Sequence, residues 1–174
     1  TPLVYNRPGE GFVGYVYRYS DDRLNSVAPG GESLLAKNIN GESEFISIVT
    51  NGNLITYYNG ETSQGNTLPF GVIPEKCASS VTPSSTVVWC GYPSKPMSNL
   101  PISWYKGLEF SSDTLWASNI ELGQSIEVAD LQNLSGQMID VIDIQTDQTG
   151  TRLLFRDKNI NSLWMYDILA GEEG

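Results

Sequence analysis

Apolar residues along this chain occur in short runs, and these runs rarely show the spacing of an amphipathic helix. Gly, Pro, Asn, Asp and Ser separate the runs at short intervals, which is typical of β-strands joined by turns. Several runs lack alternation between apolar and polar residues, so both of their faces must be covered, and this favours sheets packed against sheets. The pattern therefore predicts an all-β chain. The clearest predicted strands are 12–19, 45–50, 54–58, 86–90, 115–117, 138–144, 153–155 and 163–166.

Turn residues indicate which of these strands pair. The dipeptide Asn51-Gly52 lies between two apolar runs and is a strong hairpin signal. The segment 147–150 ends on Gly150, which suits the left-handed residue after a type I turn, and it joins 141–144 to 152–155. Both connections are local and antiparallel, so the predicted sheets are meanders.

The predicted meanders recur along the chain. An apolar and aromatic segment precedes a polar turn about every 40–50 residues once the Pro-rich insert 91–107 is set aside, and this spacing is typical of β-propeller blades. We therefore predict a single propeller-like domain over 1–174, with three to four blade repeats, either part of a larger ring or closed atypically. A β-sandwich with irregularly spaced strands is the alternative. The repeated segments, taken as the last strand of each blade, are 15–19, 54–58, 115–119 and 163–167.

Part of the chain resembles uncharacterised bacterial propeller-like surface proteins. The similar segments are Pro74-Glu75-Lys76-Cys77, a second cysteine at Cys90, Trp104-Tyr105-Lys106-Gly107 and a strand that begins near Leu115-Trp116. The segment 147–167 is similar to TolB-like and WD-like propeller repeats. The resemblance implies an outward-facing propeller that follows an N-terminal membrane segment, and it implies no established activity.

The amino-acid composition excludes several classes of function. The 174 residues include 10 Lys or Arg, 20 Asp or Glu and no His, which gives a net charge of −10. Without histidine, Ser-His-Asp catalysis and imidazole metal ligation are excluded, and the negative charge opposes binding to nucleic acid. No apolar stretch is long enough to span a membrane. Because the chain begins at Thr1 without Met, we expect that it was cut from a longer protein that could carry an anchor before Thr1.

Cys77 and Cys90 lie at equal distances from the centre of the predicted turn 82–85. They should therefore face each other across a hairpin, within the range of Cα separations that a disulfide needs. The prediction is a disulfide and an extracytoplasmic location. The alternative is a pair of reduced cysteines that serve as small core residues.

The insert 91–107 is long for a strand connection and carries Tyr92, Trp104 and Tyr105. Long loops on rigid scaffolds often hold binding residues, and aromatic rings can stack on sugars, prolines or a protein partner. These three residues are the predicted binding site. The alternative is an aromatic plug that folds back over the neighbouring strands.

The acidic residues are candidates for calcium ligands or for a catalytic pair. Asp140, Asp143 and Asp147 lie near one strand and turn, and Asp21 with Asp22 lies in another, but no calcium-loop pattern is present. We predict solvated turn carboxylates, no metal and no cofactor.

These features predict a non-catalytic extracytoplasmic module for protein interaction or surface structure, which meets a protein or carbohydrate at the cell surface and contacts neither nucleic acid nor membrane. One alternative is a carbohydrate-active hydrolase that uses two converging carboxylates. Another is a subunit of an extracellular filament or surface layer, for which unpaired sheet edges should meet a neighbouring chain.

Overall fold

A computed structural model of the chain describes residues 3–5, 12–32, 34–40, 44–48, 56–59, 65–82, 84–97, 101–147 and 149–169. The chain divides into two compact units, Thr1–Pro74 and Glu75–Gly174. The prediction of an all-β chain is confirmed, since antiparallel strands dominate both units. Helix in the described residues is limited to a 3-10 turn at Pro74–Lys76 and two short helices, α1 (Ile102–Tyr105) and α2 (Leu131–Ser135). None of these helices has the length or apolar character to cross a membrane.

The first unit contains two antiparallel sheets of consecutive strands. The first sheet has the order β1-β2-β3 and the second the order β4-β5-β6-β7. Asp21 and Asp22 join β2 to β3 in left-handed conformations, with φ of 53° and 56°, as a two-residue hairpin turn requires. The strands are β1 (Leu3–Tyr5), β2 (Val13–Ser20), β3 (Arg23–Glu32), β4 (Leu35–Asn40), β5 (Glu44–Ile48), β6 (Thr56–Asn59) and β7 (Gly65–Thr67).

The second unit contains two further meanders. The third sheet has the order β8-β9-β10-β11, and the fourth has the order β12-β13-β14. The strands are β8 (Cys77–Val81), β9 (Thr86–Pro93), β10 (Asp113–Asn119), β11 (Gln124–Asp130), β12 (Val141–Thr146), β13 (Arg152–Asp157) and β14 (Leu163–Asp167).

Both predicted hairpins are confirmed by strand pairing. Phe45 of β5 lies opposite Tyr58 of β6, in a register centred on the Asn-Gly dipeptide, whose own residues lie outside the described part of the chain. The strands β12 and β13 pair antiparallel, and Gly150 has the predicted left-handed φ, 68°.

The repeated segments occupy three separate sheets. Segments 54–58, 115–117 and 163–166 fall in β6, β10 and β14, each the third strand of its own meander, as far as their residues are described. The expectation that they are last strands is wrong for β6 and β10, because β7 and β11 follow them. Segment 15–19 lies instead in β2, a second strand. The strands β7 and β11 were missed because they are mostly polar edge strands without an apolar run.

Each unit has its own hydrophobic core. In the second unit, one cluster joins residues of the third and fourth sheets, so these two sheets pack against each other as the sequence predicts. Gly91 marks a close approach of these sheets, since a Cβ atom there would lie 2.6 Å from Cβ of Val141. The buried members of this cluster are Ala78, Trp89, Leu115, Ala117, Ala129, Leu131, Ile139, Val141, Ile144, Leu153 and Phe155.

Candidate functional site

The predicted disulfide is confirmed. Cys77 and Cys90 lie directly opposite each other in the pairing of β8 with β9, with an S–S distance of 2.07 Å and a Cα–Cα distance of 4.2 Å. The turn between the strands is closed by Thr82, whose N–H donates to the Ser85 carbonyl at 2.9 Å. A loop of this length stabilises the fold by about 3 kcal/mol in the chain-entropy model. Disulfides of this kind are typical of oxidising, extracytoplasmic compartments.

The insert starts inside a strand and then passes through a short helix. Its first three residues, including Tyr92, are the end of β9, and α1 lies near its other end. The Tyr92 ring packs edge-on against Trp116 at a centroid distance of 6.1 Å and remains partly exposed. Tyr105 is 45% exposed, and its hydroxyl contacts the Glu75 carboxylate.

The prediction that Trp104 belongs to an exposed binding site is wrong. Trp104 is only 1% exposed, so its ring cannot meet a partner, and the alternative of an aromatic plug describes this residue. Its Nε1 donates to both carboxylate oxygens of Asp140, at 3.0 and 2.9 Å. Lys158 caps the ring at 4.5 Å from its centroid and donates to the Trp104 carbonyl at 2.8 Å. Binding by Tyr92 and Tyr105 stays a prediction.

The centre of this site is a fully buried lysine. Nζ of Lys76 donates to Oδ2 of Asp113 and to Oδ1 of Asp140, both at 2.5 Å, and to Oγ of Ser111 at 2.7 Å. The side chains of Lys76, Asp113 and Asp140 are all 0% exposed. We call Lys76, Asp113 and Asp140 the buried triad.

The triad holds one ammonium group and two carboxyl groups, so its charges do not balance if both acids are ionised. Burial raises the pKa of Asp113 even though the Lys76 ammonium group opposes the shift. Oδ2 of Asp113 also accepts the Val141 N–H at 2.8 Å, whereas its Oδ1 has no hydrogen-bond partner. Removing one member of a buried ion pair typically costs about 3–5 kcal/mol, since it leaves a charge without compensation.

The topology explains why these distant residues meet. Lys76 immediately precedes β8, Asp113 begins β10 and Asp140 immediately precedes β12. In antiparallel meanders, alternate strands begin at the same end of a sheet, so these positions converge at one end of the third and fourth sheets. Asp157 supports them at the end of β13, where its carboxylate accepts the Asp140 N–H at 3.0 Å.

The prediction that Asp140 is a solvated turn carboxylate is also wrong, because its side chain is buried. Asp143 is exposed and pairs with Arg156, and Asp147 lies in the turn before β13. Sequence reasoning missed Lys76 altogether. The segment around it carries a resemblance but no sign of burial, since an isolated lysine usually indicates a solvated position.

The arrangement gives no access for a sugar substrate at the converging carboxylates. Asp113 and Asp140 both pair with Lys76, and neither side chain is exposed. The two carboxylates of a glycosidase must instead flank a bound substrate. No group of three or more potential acidic, cysteine or histidine metal ligands occurs in the part of the chain that the structure describes.

Exposed apolar residues lie on α1 and in the segment that follows it. Leu108 is 73% and Phe110 56% exposed, and Ile102 and Tyr105 of α1 are also exposed. We call Ile102 and Tyr105 at the end of the insert, with Leu108 and Phe110 just after it, the insert surface. The Tyr105 ring packs edge-on against the buried Trp104 ring at a centroid distance of 5.3 Å, and Nζ of Lys158 lies 4.8 Å from the Phe110 ring centroid.

No family model matches this chain, and no curated protein matches it. Among solved structures, it is similar to an oligogalacturonate lyase in complex with manganese, at 14% sequence identity and a TM-score of 0.47. The similarity covers 87% of this chain and 39% of the lyase, so this chain spans well under half of that protein's length.

Proposed function

We propose that this chain is a propeller-like, non-catalytic module that acts outside the cytoplasm and binds a protein partner through the insert surface. The four meanders follow one another in sequence order. In three of them the repeated apolar segment falls in the third strand, which supports the interpretation of the meanders as blades. The disulfide supports the location. An anchor that precedes Thr1 belongs to the same proposal.

The insert surface is the observation that carries the binding function. Exposed apolar clusters often mark interaction sites in soluble proteins, and these four exposed residues all lie within 102–110. Here they are aliphatic and aromatic, which suits the apolar centre of a protein interface better than a sugar. Trp104, which lies within the same segment, is held rigidly by hydrogen bonds to Asp140 and Lys158. A rigid surface loses little conformational entropy on contact, which favours binding.

The test compares two pairs of exposed apolar residues. The double variant Leu108→Ser with Phe110→Ser replaces the two most exposed residues of the insert surface. The double variant Leu122→Ser with Ile126→Ser is a matched control at exposed positions near and within β11. Each purified chain is presented to intact cells of the source organism, and bound proteins are quantified by mass spectrometry. We expect a partner to be retained by the wild type and by the control, and to be lost with the insert variant.

Equal retention by all three chains, or no retained partner, contradicts the binding proposal. Circular dichroism must show that both variants fold. The location has a separate test, in which cells are treated with a thiol-alkylating reagent before lysis. Unmodified, oxidised Cys77 and Cys90 support an extracytoplasmic chain, and full alkylation contradicts it.

The filament alternative has one specific observation in its favour. Among the described residues, no strand pairs with the outer edge of β14, and Leu163 and Met165 on this strand are exposed. An open edge with apolar side chains can pair with a neighbouring chain. Light scattering over a range of concentrations tests this: assembly that Met165→Lys abolishes supports it, and a monomer throughout contradicts it.

A further inference from the structure

We propose that Lys76 and Asp113 become joined by an intramolecular amide bond in the folded protein, with Asp140 transferring the protons. This inference goes beyond the proposed binding function and does not rest on it. It would make the buried triad a site of self-catalysed modification that covalently ties the start of β8 to the start of β10.

The geometry places the reacting atoms together. Nζ of Lys76 lies 2.5 Å from Oδ2 of Asp113, so it is also close to the carboxyl carbon that it would attack. Reacting atoms held about 3–3.5 Å apart in a fixed orientation gain a large effective concentration. The Ser111 hydroxyl and the second carboxylate fix the direction of the lysine nitrogen.

The two acids have different surroundings, which assigns their roles. Asp113 has one oxygen without a hydrogen-bond partner, and burial raises its pKa, so a neutral carboxylic acid is favoured there. A neutral acid is an electrophile, whereas a carboxylate is not. Asp140 is held by Trp104 Nε1, by the Ser111 hydroxyl at 2.9 Å and by Lys76 itself. It is therefore oriented to accept a proton from the ammonium group.

The step balances without any further reactant. The Lys76 ammonium group gives one proton to the Asp140 carboxylate, and the neutral Nζ attacks Cγ of the protonated Asp113. The C–OH bond of Asp113 breaks, and its oxygen leaves as one water molecule that carries the acid's own proton and a second proton from Nζ. An amide with one N–H remains, and Asp140 keeps the proton it received, so net charge is unchanged and no oxidant or reductant is needed.

Burial favours this condensation. All three side chains are 0% exposed, so the released water leaves a site that bulk water does not enter freely. Reaction replaces a buried ammonium group and a buried carboxylate by a neutral amide and a neutral acid, which removes the desolvation cost of holding those charges. The link would also lie next to the disulfide, because Cys77 follows Lys76 directly.

Intact-mass spectrometry of the full chain, after reduction and denaturation, is the direct test. We expect the folded wild type to be lighter than its sequence mass by one water molecule. Digestion with trypsin should fail to cleave after Lys76, and the peptide that contains it should remain linked to the peptide that contains Asp113. Fragmentation of the linked peptides identifies the acceptor residue.

Three variants separate the amide from an ordinary ion pair. Lys76→Arg keeps the positive charge and should show its full sequence mass. Asp113→Asn should form the same amide with loss of ammonia, so its product should have the mass of the wild-type product. Asp140→Asn should slow the reaction by about 10²-fold or more, the usual contribution of a proton-transfer group.

A folded wild type that shows its full sequence mass overturns the proposal, as does a link located on Asp140. Folding is checked for every chain by near-ultraviolet circular dichroism. If Lys76→Arg does not fold, the mass of the wild type and the shared product mass of Asp113→Asn still decide the question.

Discussion

Trp104 and Tyr105 are neighbours in the chain with opposite environments. Trp104 is buried against the triad, whereas Tyr105 is largely exposed. We predict that Trp104→Ala lowers the free energy of unfolding by about 3–5 kcal/mol, because it leaves a large cavity and removes a donor from Asp140. Tyr105→Ala should cost about 1 kcal/mol or less. Urea denaturation of both variants provides the comparison, and similar losses would show that Trp104 is not a core residue.

Asp147 organises the turn before β13 by accepting hydrogen bonds. The Thr149 hydroxyl, followed by the Arg152 N–H, lowers the pKa of Asp147 from 3.8 to about 2. A lowered carboxyl pKa stabilises the folded state above 3.8, and this contribution is lost as the pH falls towards about 2. The turn should therefore remain intact at pH values where free aspartate is already protonated.

Nuclear magnetic resonance titration tests this prediction. The amide signals of Thr151 and Arg152 should shift with a midpoint near the lowered pKa, about 2. Asp147→Asn keeps a side-chain acceptor but does not titrate, so it should abolish this transition. A midpoint near 3.8 in the wild type would contradict the assignment.

Among the elements, β9 and β12 come close together across two sheets at Gly91 and Val141. Gly91 allows it, since a Cβ atom there would come within 2.6 Å of Cβ of Val141. We predict that Gly91→Ala lowers the free energy of unfolding by about 1–3 kcal/mol through overpacking. The measurement is chemical denaturation.

A double-mutant cycle supplies the control for that contact. Val141→Gly alone should destabilise the core by leaving a cavity, but combined with Gly91→Ala it removes the Cβ atom that the new methyl group would meet. The double variant should therefore be more stable than the sum of the two single losses, by about 0.5–3 kcal/mol. Simple additivity would show that the two positions do not compete for space.

Some strand pairings could be predicted from local sequence patterns, and others could not. The hairpins β5–β6 and β12–β13 follow from turn chemistry within a few residues, and so does the pairing of Cys77 with Cys90. The edge strands β7 and β11 do not follow, since their pairing with β6 and β10 supplies the stabilisation that their own residues lack. Edge strands with few apolar residues are common because only one neighbour must be satisfied.

At the scale of the whole molecule, the net charge of −10 determines how the protein interacts with other charged molecules over long distances. Long-range repulsion should prevent binding to DNA or to anionic vesicles at physiological salt. Fluorescence anisotropy with labelled duplex DNA, and sedimentation with vesicles, check this expectation. Binding at micromolar protein that weakens as salt is raised would contradict it.

The sequence by itself determined the all-β class, the local hairpins and the disulfide, since each depends on residue types and spacings within one or two adjacent strands. Only the tertiary structure decided that Trp104 and Asp140 are buried and that Lys76 lies between two acids. Lys76 is 37 positions from Asp113 and 64 from Asp140, so their contact depends on how the third and fourth sheets align. A charged residue carries no local sign of that alignment, because burial and pairing are set by distant segments.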